Sequence, residues 1–208
     1  MIEDSTLWEG TRKLGSLLGV EEDVNRRIQL AAASFKRLEV IWKHRSLVPT
    51  KTRIQSYQAL VESVLMYNCG TWGLTEILAD KLDRFQRKLL RRVMGVSWSD
   101  RVSNEELYER SSIVPASEQA VDARWRLFGH TLRMHEESPA KQATACYFFN
   151  DQKGRQGNRT TIATALSDDY KLTFKSSIKT KVEYGSMIDV ASERDYWKEE
   201  YHLYERVK

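Results

Sequence analysis

The residues 124–134, RWRLFGHTLRM, set His130 among Arg124, Arg126 and Arg133. A histidine in such company has three uses: general base, metal ligand, or phosphate contact. General-base work needs a nucleophile or an orienting carboxylate in reach, and metal binding needs a second ligand at helical spacing. His135, five residues on, falls on another part of the helix, and no triad partner is near. His130 therefore reads as a solvated or phosphate-facing side chain. The adjacent Asp168 and Asp169, in ALSDDYK, are of the type that holds magnesium in nucleotidyl transfer. No strand pattern flanks them, and they read as exposed helix acids. GRQGNR, residues 154–159, lacks the lysine and hydroxyl spacing of a phosphate-cradling loop and reads as a connector, with Arg155 and Arg159 as weaker phosphate contacts. Cys69 and Cys146 match no metal-ligand spacing, so neither a metal nor another cofactor is expected.

Composition sets the class. With 208 residues, 41% hydrophobic and 30% charged, the chain can bury a sizeable core. A formal charge of +4 is compatible with a polyanionic partner, so the placement of the charges has to decide. The opening MIEDSTLWEG lacks the basic and apolar regions of a secretory signal, and no later run approaches the ~20 apolar residues of a membrane span. Together with the sparse cysteines this predicts a soluble, intracellular protein, cytoplasmic or nuclear, with no membrane partner.

The elements that must carry these residues are helical. Val24, Ile28, Ala31, Phe35, Leu38 and Trp42 alternate spacings of four and three and predict one helix over 23–42. A second starts near Pro49 and stops by Gly70. A third is capped by Thr75, stops at Gly95, and has Leu78, Leu82, Phe85, Leu89 and Val93 as its apolar face. Ser103 with Glu106 fits a capping box, and Pro115 opens the helix that carries the quoted stretch. At 100° per residue Val121, Trp125, Phe128 and Leu132 share one side, opposite Arg126, His130 and Arg133. Gly129 within this helix costs about 1 kcal/mol relative to alanine and predicts a close approach by a neighbouring helix. Further helices are expected over 139–149, 162–174 and 188–204, with an irregular lysine-rich stretch at 175–185. The fold class is all-α, a thumb-like helical bundle with a basic linker and a C-terminal helical segment. The expected division is 1–20, a helical domain over 21–149, and a linker with helical tail over 150–208.

Two basic helical faces are the main physical signal: Arg84, Arg87, Lys88 and Arg91 on the third helix, and Arg126, His130 and Arg133 on the later one. Cations spaced along a rigid helix suit sequence-independent contact with nucleic-acid backbone, and equally suit a solvated bundle surface. Trp125 and Phe128 lie on the core side and are not base-stacking groups. Trp8, Trp72 and Trp98 are candidates for an exposed apolar patch.

The order of these stretches resembles the C-terminal part of a non-LTR (LINE-type) retrotransposon reverse transcriptase, the endonuclease-reverse transcriptase polyproteins. The similar segments are KLGSLL, DVNRRIQLAAASFKRLEVIW, LVESVLMYNCGTW, LDRFQRKLLRRVMGVSWSDRVSNEELYER and RWRLFGHTLRM, followed more weakly by GRQGNRTT and ASERDYW. In that family KLGSLL corresponds to the end of the polymerase palm, and the metal-binding aspartates lie upstream of it. Asn158 stands where a proline is usual, and the family's cysteine-histidine knuckle is absent. The resemblance implies a thumb-like fragment, with residues 1–20 a remnant of the palm. It implies no polymerase activity on its own, and partners that are RNA, DNA or RNA/DNA hybrid backbone and a separate polymerase palm. The alternative expectation is a helical protein-interaction module or an inert truncated fragment.

Overall fold

The computed structural model describes residues 12–13, 15–17, 19–149, 162–174 and 181–201. Among these the fold is all-α, with one small antiparallel hairpin in which β1 (Arg12–Lys13) pairs with β2 (Ser16–Leu17). The chain forms two compact units, Met1–Asn68 with Thr75–Gln119, and Cys69–Leu74 with Ala120–Lys208. The division between Gln119 and Ala120 falls inside one helix.

The first unit is built on α1 (Val20–Arg37), α2 (Glu39–Lys43), α3 (Thr50–Tyr57), α4 (Ser63–Leu65), α5 (Glu76–Met94) and α6 (Asn104–Ser111). The single helix expected over 23–42 is two, because Leu38 leaves helical geometry at φ −95°, ψ 15°. Glu21, Glu22 and Asp23 open α1 and Lys36 and Arg37 close it, each suited to its end of the helix dipole. Between α3 and α4 the residues Gln58–Glu62 form a π-helical turn, whose wider coil turns both Val61 and Glu62 inward. Val24, Ala31, Tyr57, Val61, Leu65, Leu82, Leu90 and Leu107 make the core. The hairpin is fastened to α1 by buried polar groups: Asp23 accepts from the Leu17 amide at 2.9 Å, and the Arg27 guanidinium donates to the Gly15 carbonyl at 2.6 Å.

One interior station of this unit is polar. Gln86, fully buried on α5, donates to Glu62 Oε1 at 2.8 Å and to the Val114 carbonyl at 3.0 Å. Its Oε1 accepts from the Ala116 amide at 2.9 Å and from Tyr108 Oη at 3.2 Å, and Gln119 adds a second bond to Glu62 at 3.0 Å. The apolar spacing had put Phe85 on the inner face of α5, but Phe85 is half-buried and Gln86 is inside. Period alone cannot show that a loop's carbonyl and amide await a partner there.

The second unit contains most of α7 (Ala116–Leu132) with α8 (Pro139–Phe149), α9 (Ile162–Phe174), α10 (Lys181–Ser192) and α11 (Arg194–Tyr201). Trp125, Phe128 and Leu132 of α7 are buried with Leu166, Tyr184, Met187, Ala191 and Trp197. The C-terminal helices thus complete a core, and do not trail behind one. Helix α10 begins at Lys181, inside the stretch expected to be irregular, because Tyr184 and Met187 are needed in that core. Gly129 has the packing reason its cost implied: a Cβ there would overlap the Trp197 indole, whose Nε1 donates to the Trp125 carbonyl at 3.3 Å. Among the described residues no helix is long and apolar enough to cross a membrane.

Candidate nucleic-acid interface

Helix α5 is fixed at both ends by the residues its sequence offered. Thr75 Oγ1 accepts from the Leu78 amide, and Gly95 takes the left-handed conformation, φ 79°, with its amide on the Arg91 carbonyl at 2.9 Å. Arginines from the preceding segment take up two more carbonyls at its end. Buried Arg53 donates to the Val93 carbonyl, and Arg45 donates to the Gly95 carbonyl at 3.2 Å. Burial, then the nearby Arg45 charge, pulls the Arg53 pKa down.

With the helix so held, its four predicted cations divide. Arg84 and Arg87 both pair with Asp80, the second at 3.7 Å. Arg91 donates to Asn104 Oδ1 at 2.9 Å and so helps place the start of α6. Lys88 is exposed and carries no such bond, and Arg92, one turn further on, is exposed as well. Lys88 and Arg92 face a groove of about 730 Å³ between α5 and the α1–α2 segment. Its floor is apolar, from Ala32, Phe35, Trp42, Phe85 and Leu89; its cations are Lys36, Lys43, Arg45, Lys88 and Arg92, against the single carboxylate of Glu39. Glu39 lies 3.1 Å from Lys43 in an exposed pair that is worth little. Phe35 and Trp42 stack with ring centroids 4.9 Å apart, and Trp42 Nε1 donates to the Phe35 carbonyl at 2.9 Å.

The second predicted stripe has a different fate. Arg126 pairs with buried Asp122, and Arg133 donates to the Ala191 carbonyl at 3.0 Å, capping α10. Burial and neighbouring Arg194 pull the Arg133 pKa down. His130 is exposed on the same side, as expected from the wheel. Arg124 points inward: it bonds the Trp72 carbonyl at 3.2 Å and pairs with Asp169. Asp168 is exposed as read from sequence, but Asp169 is not a free helix acid, and burial raises its pKa against the opposing pull of Arg124. Arg155 and Arg159 lie outside the described residues, as does Trp8. Of the other two tryptophans proposed for a patch, Trp72 is buried, and Trp98 is 96% exposed.

Sequence reasoning missed Lys36, Lys43, Arg45 and Arg92. Arg92 adjoined the predicted set, but the other three belong to a site only because α1–α2 and α5 lie side by side. Cys69 is buried and its thiol is pushed up to about 11, chiefly by burial, which makes it an inert structural group. Among the described residues no group of three or more His, Cys, Asp or Glu is placed to hold a metal ion. The chain matches no protein-family model, no curated protein and no solved structure.

Proposed function

We propose that this chain is a thumb-like helical region of a non-LTR retrotransposon reverse transcriptase and that it holds nucleic-acid backbone without base recognition. The resemblance in the sequence motivates the family. The observation that carries the activity is the groove, where exposed Lys36, Lys88 and Arg92 have no acidic partner among the described residues, joined by Lys43 and Arg45. Cations already paired with carboxylates must give those partners up before they can meet a phosphate. Unpaired ones lose water and counterions, and in the case of Arg92 a contact 5.9 Å above the Phe35 ring, and the released counterions favour binding. The binding residues therefore shift from the set read in sequence: Lys88 stays at the centre, Lys36 and Arg92 join it, Arg84, Arg87 and Arg126 are held in ion pairs, and Arg91 and Arg133 serve the fold through their hydrogen bonds. RNA, DNA and their hybrid all present the required backbone, and no catalytic step is assigned to this chain.

The test is fluorescence-polarisation binding of a labelled oligonucleotide set, RNA, DNA and hybrid, over a salt series. Log affinity should fall linearly with log salt, and Lys88→Ala with Arg92→Ala should reduce that slope by about 2, roughly one for each phosphate contact removed. Slopes unchanged in a folded double variant would remove the groove from the interface. A second reading, a helical protein-interaction module, is favoured by Trp98, which stands 96% exposed on a turn fixed by the Ser97 and Asp100 capping box. It replaces the first if no nucleic acid binds at low salt.

A further inference from the structure

The groove's shape narrows what its cations can hold. A surface meant only for charge needs no concavity and no apolar floor, and this site has both. Resting on the nucleic-acid reading, we infer that the groove takes a single strand and not a duplex. One or two nucleotides enter it, with phosphates against Lys36, Lys88 and Arg92 and a base or sugar face over Ala32 and Phe85.

Three observations support this. First, about 730 Å³ is the size of a small-molecule site. A duplex is a stiff rod with its charges outside, so it would lie across the rim and leave the floor uncovered. Second, Lys88 and Arg92 are one helical turn apart on α5, on the order of 6 Å, which suits neighbouring phosphates of one strand. Third, Phe35 and Trp42 are only 6% and 4% exposed and stack on each other, so a base meets their edges and does not insert between them. Half-buried Phe85 and exposed Ala32 are the accessible part of the floor. Apolar contact of this kind accepts any base, so the site should show little sequence preference.

The experiment compares a labelled twelve-nucleotide oligothymidine with a blunt duplex of similar length, on the full chain, across a salt series. For the three open cations at roughly 0.7 per contact the single-strand slope should lie near −2 and be largely lost in the Lys36→Ala, Lys88→Ala, Arg92→Ala variant. Ala32→Trp fills the floor without changing charge, at an exposed helical position. It should weaken single-strand binding at least tenfold and leave duplex binding within twofold, with circular dichroism melts reporting that the fold persists. If that variant does not fold, the smaller Ala32→Leu serves the same purpose, again without changing charge. Single-strand affinity unchanged by a folded Ala32 variant overturns the inference, as does duplex binding with none to the single strand. Either result leaves the backbone-binding reading standing. Absence of binding to both probes overturns the two together. An acidic amphipathic peptide that binds in an Ala32-dependent way, where oligothymidine does not, assigns the groove to a protein partner instead.

Discussion

Helices α5 and α7 carry basic residues at the same helical spacing, and they use them differently. On α5 the arginines nearest the following helix are tied down, Arg91 to Asn104 and Arg87 to Asp80, while Lys88 and Arg92 are left facing a groove. On α7 Arg124 is buried against Asp169 and Arg126 is paired with Asp122, and Arg133, just past its end, caps another helix through the Ala191 carbonyl. A cation that closes a hydrogen-bond deficit inside the fold is spent on stability, and its removal should be read in an unfolding curve. A cation with only water around it contributes little to stability and is available to a ligand. Charge counts on a helical wheel treat the two alike.

The contrast can be broken most directly at Arg124. Its replacement by alanine takes the buried guanidinium away from half-buried Asp169 and from the Trp72 carbonyl, and should cost about 3 kcal/mol in urea unfolding. A loss below about 1 kcal/mol would mean that α7's inward arginine is no more structural than a surface one. Gly129→Ala should come next. The gain in helix propensity is about 1 kcal/mol, but the Trp197 indole occupies the space a methyl needs, and overpacking should leave a net loss of about 2 kcal/mol. A stabilised variant would show that α11 can yield.

Glu62 tests the polar station beneath α5. Burial raises its pKa above the ordinary 4.5, while the bonds from Gln119 and Gln86 oppose the rise. The folded chain therefore binds this proton more tightly than the unfolded one, and the ionised carboxylate carries a penalty that is complete above the folded pKa. Lowering the pH from the raised value toward 4.5 should remove that penalty. Glu62→Gln should accordingly stabilise by about 1 kcal/mol at neutral pH, with the advantage shrinking as pH falls through this interval. Urea midpoints at several pH values would show it, and an advantage that grew on acidification would contradict the assignment. The smallest stability effects belong to the exposed cations. Lys88→Ala, Arg92→Ala and Arg84→Ala should each stay within about 0.5 kcal/mol of the parent. In a binding assay they should separate, the first two weakening affinity and the third barely changing it; equal losses from all three would erase the distinction between open and paired cations.

Much of the fold was legible because helix signals are local. Thr75 and Gly95 bounded α5, Pro115 preceded α7, and Pro139–Phe149 and Ile162–Phe174 coincide with their helices, since caps and breakers act through the backbone of their own neighbours. Gly129 announced a close approach by its cost, though not the partner. The inward turn of Gln86 and the early start of α10 were not legible, because each answers a demand from a distant segment; the break at Leu38 left the apolar spacing of 23–42 unchanged and so gave no sign in the periodicity.

The sequence by itself determined which stretches are helical, where most of them end, and that their outer faces carry an excess of positive charge. Tertiary structure alone decided which of those charges remain open. Lys36 and Lys88 are 52 positions apart in the chain, and they share a groove only because α1–α2 packs beside α5. Arg124 and Asp169 lie 45 positions apart and neutralise each other only because α9 covers that part of α7. Side-chain electrostatics fall off within a few ångströms of protein and a Debye length of water, so the role of a charge depends on its neighbours in space, which periodicity along the chain does not report.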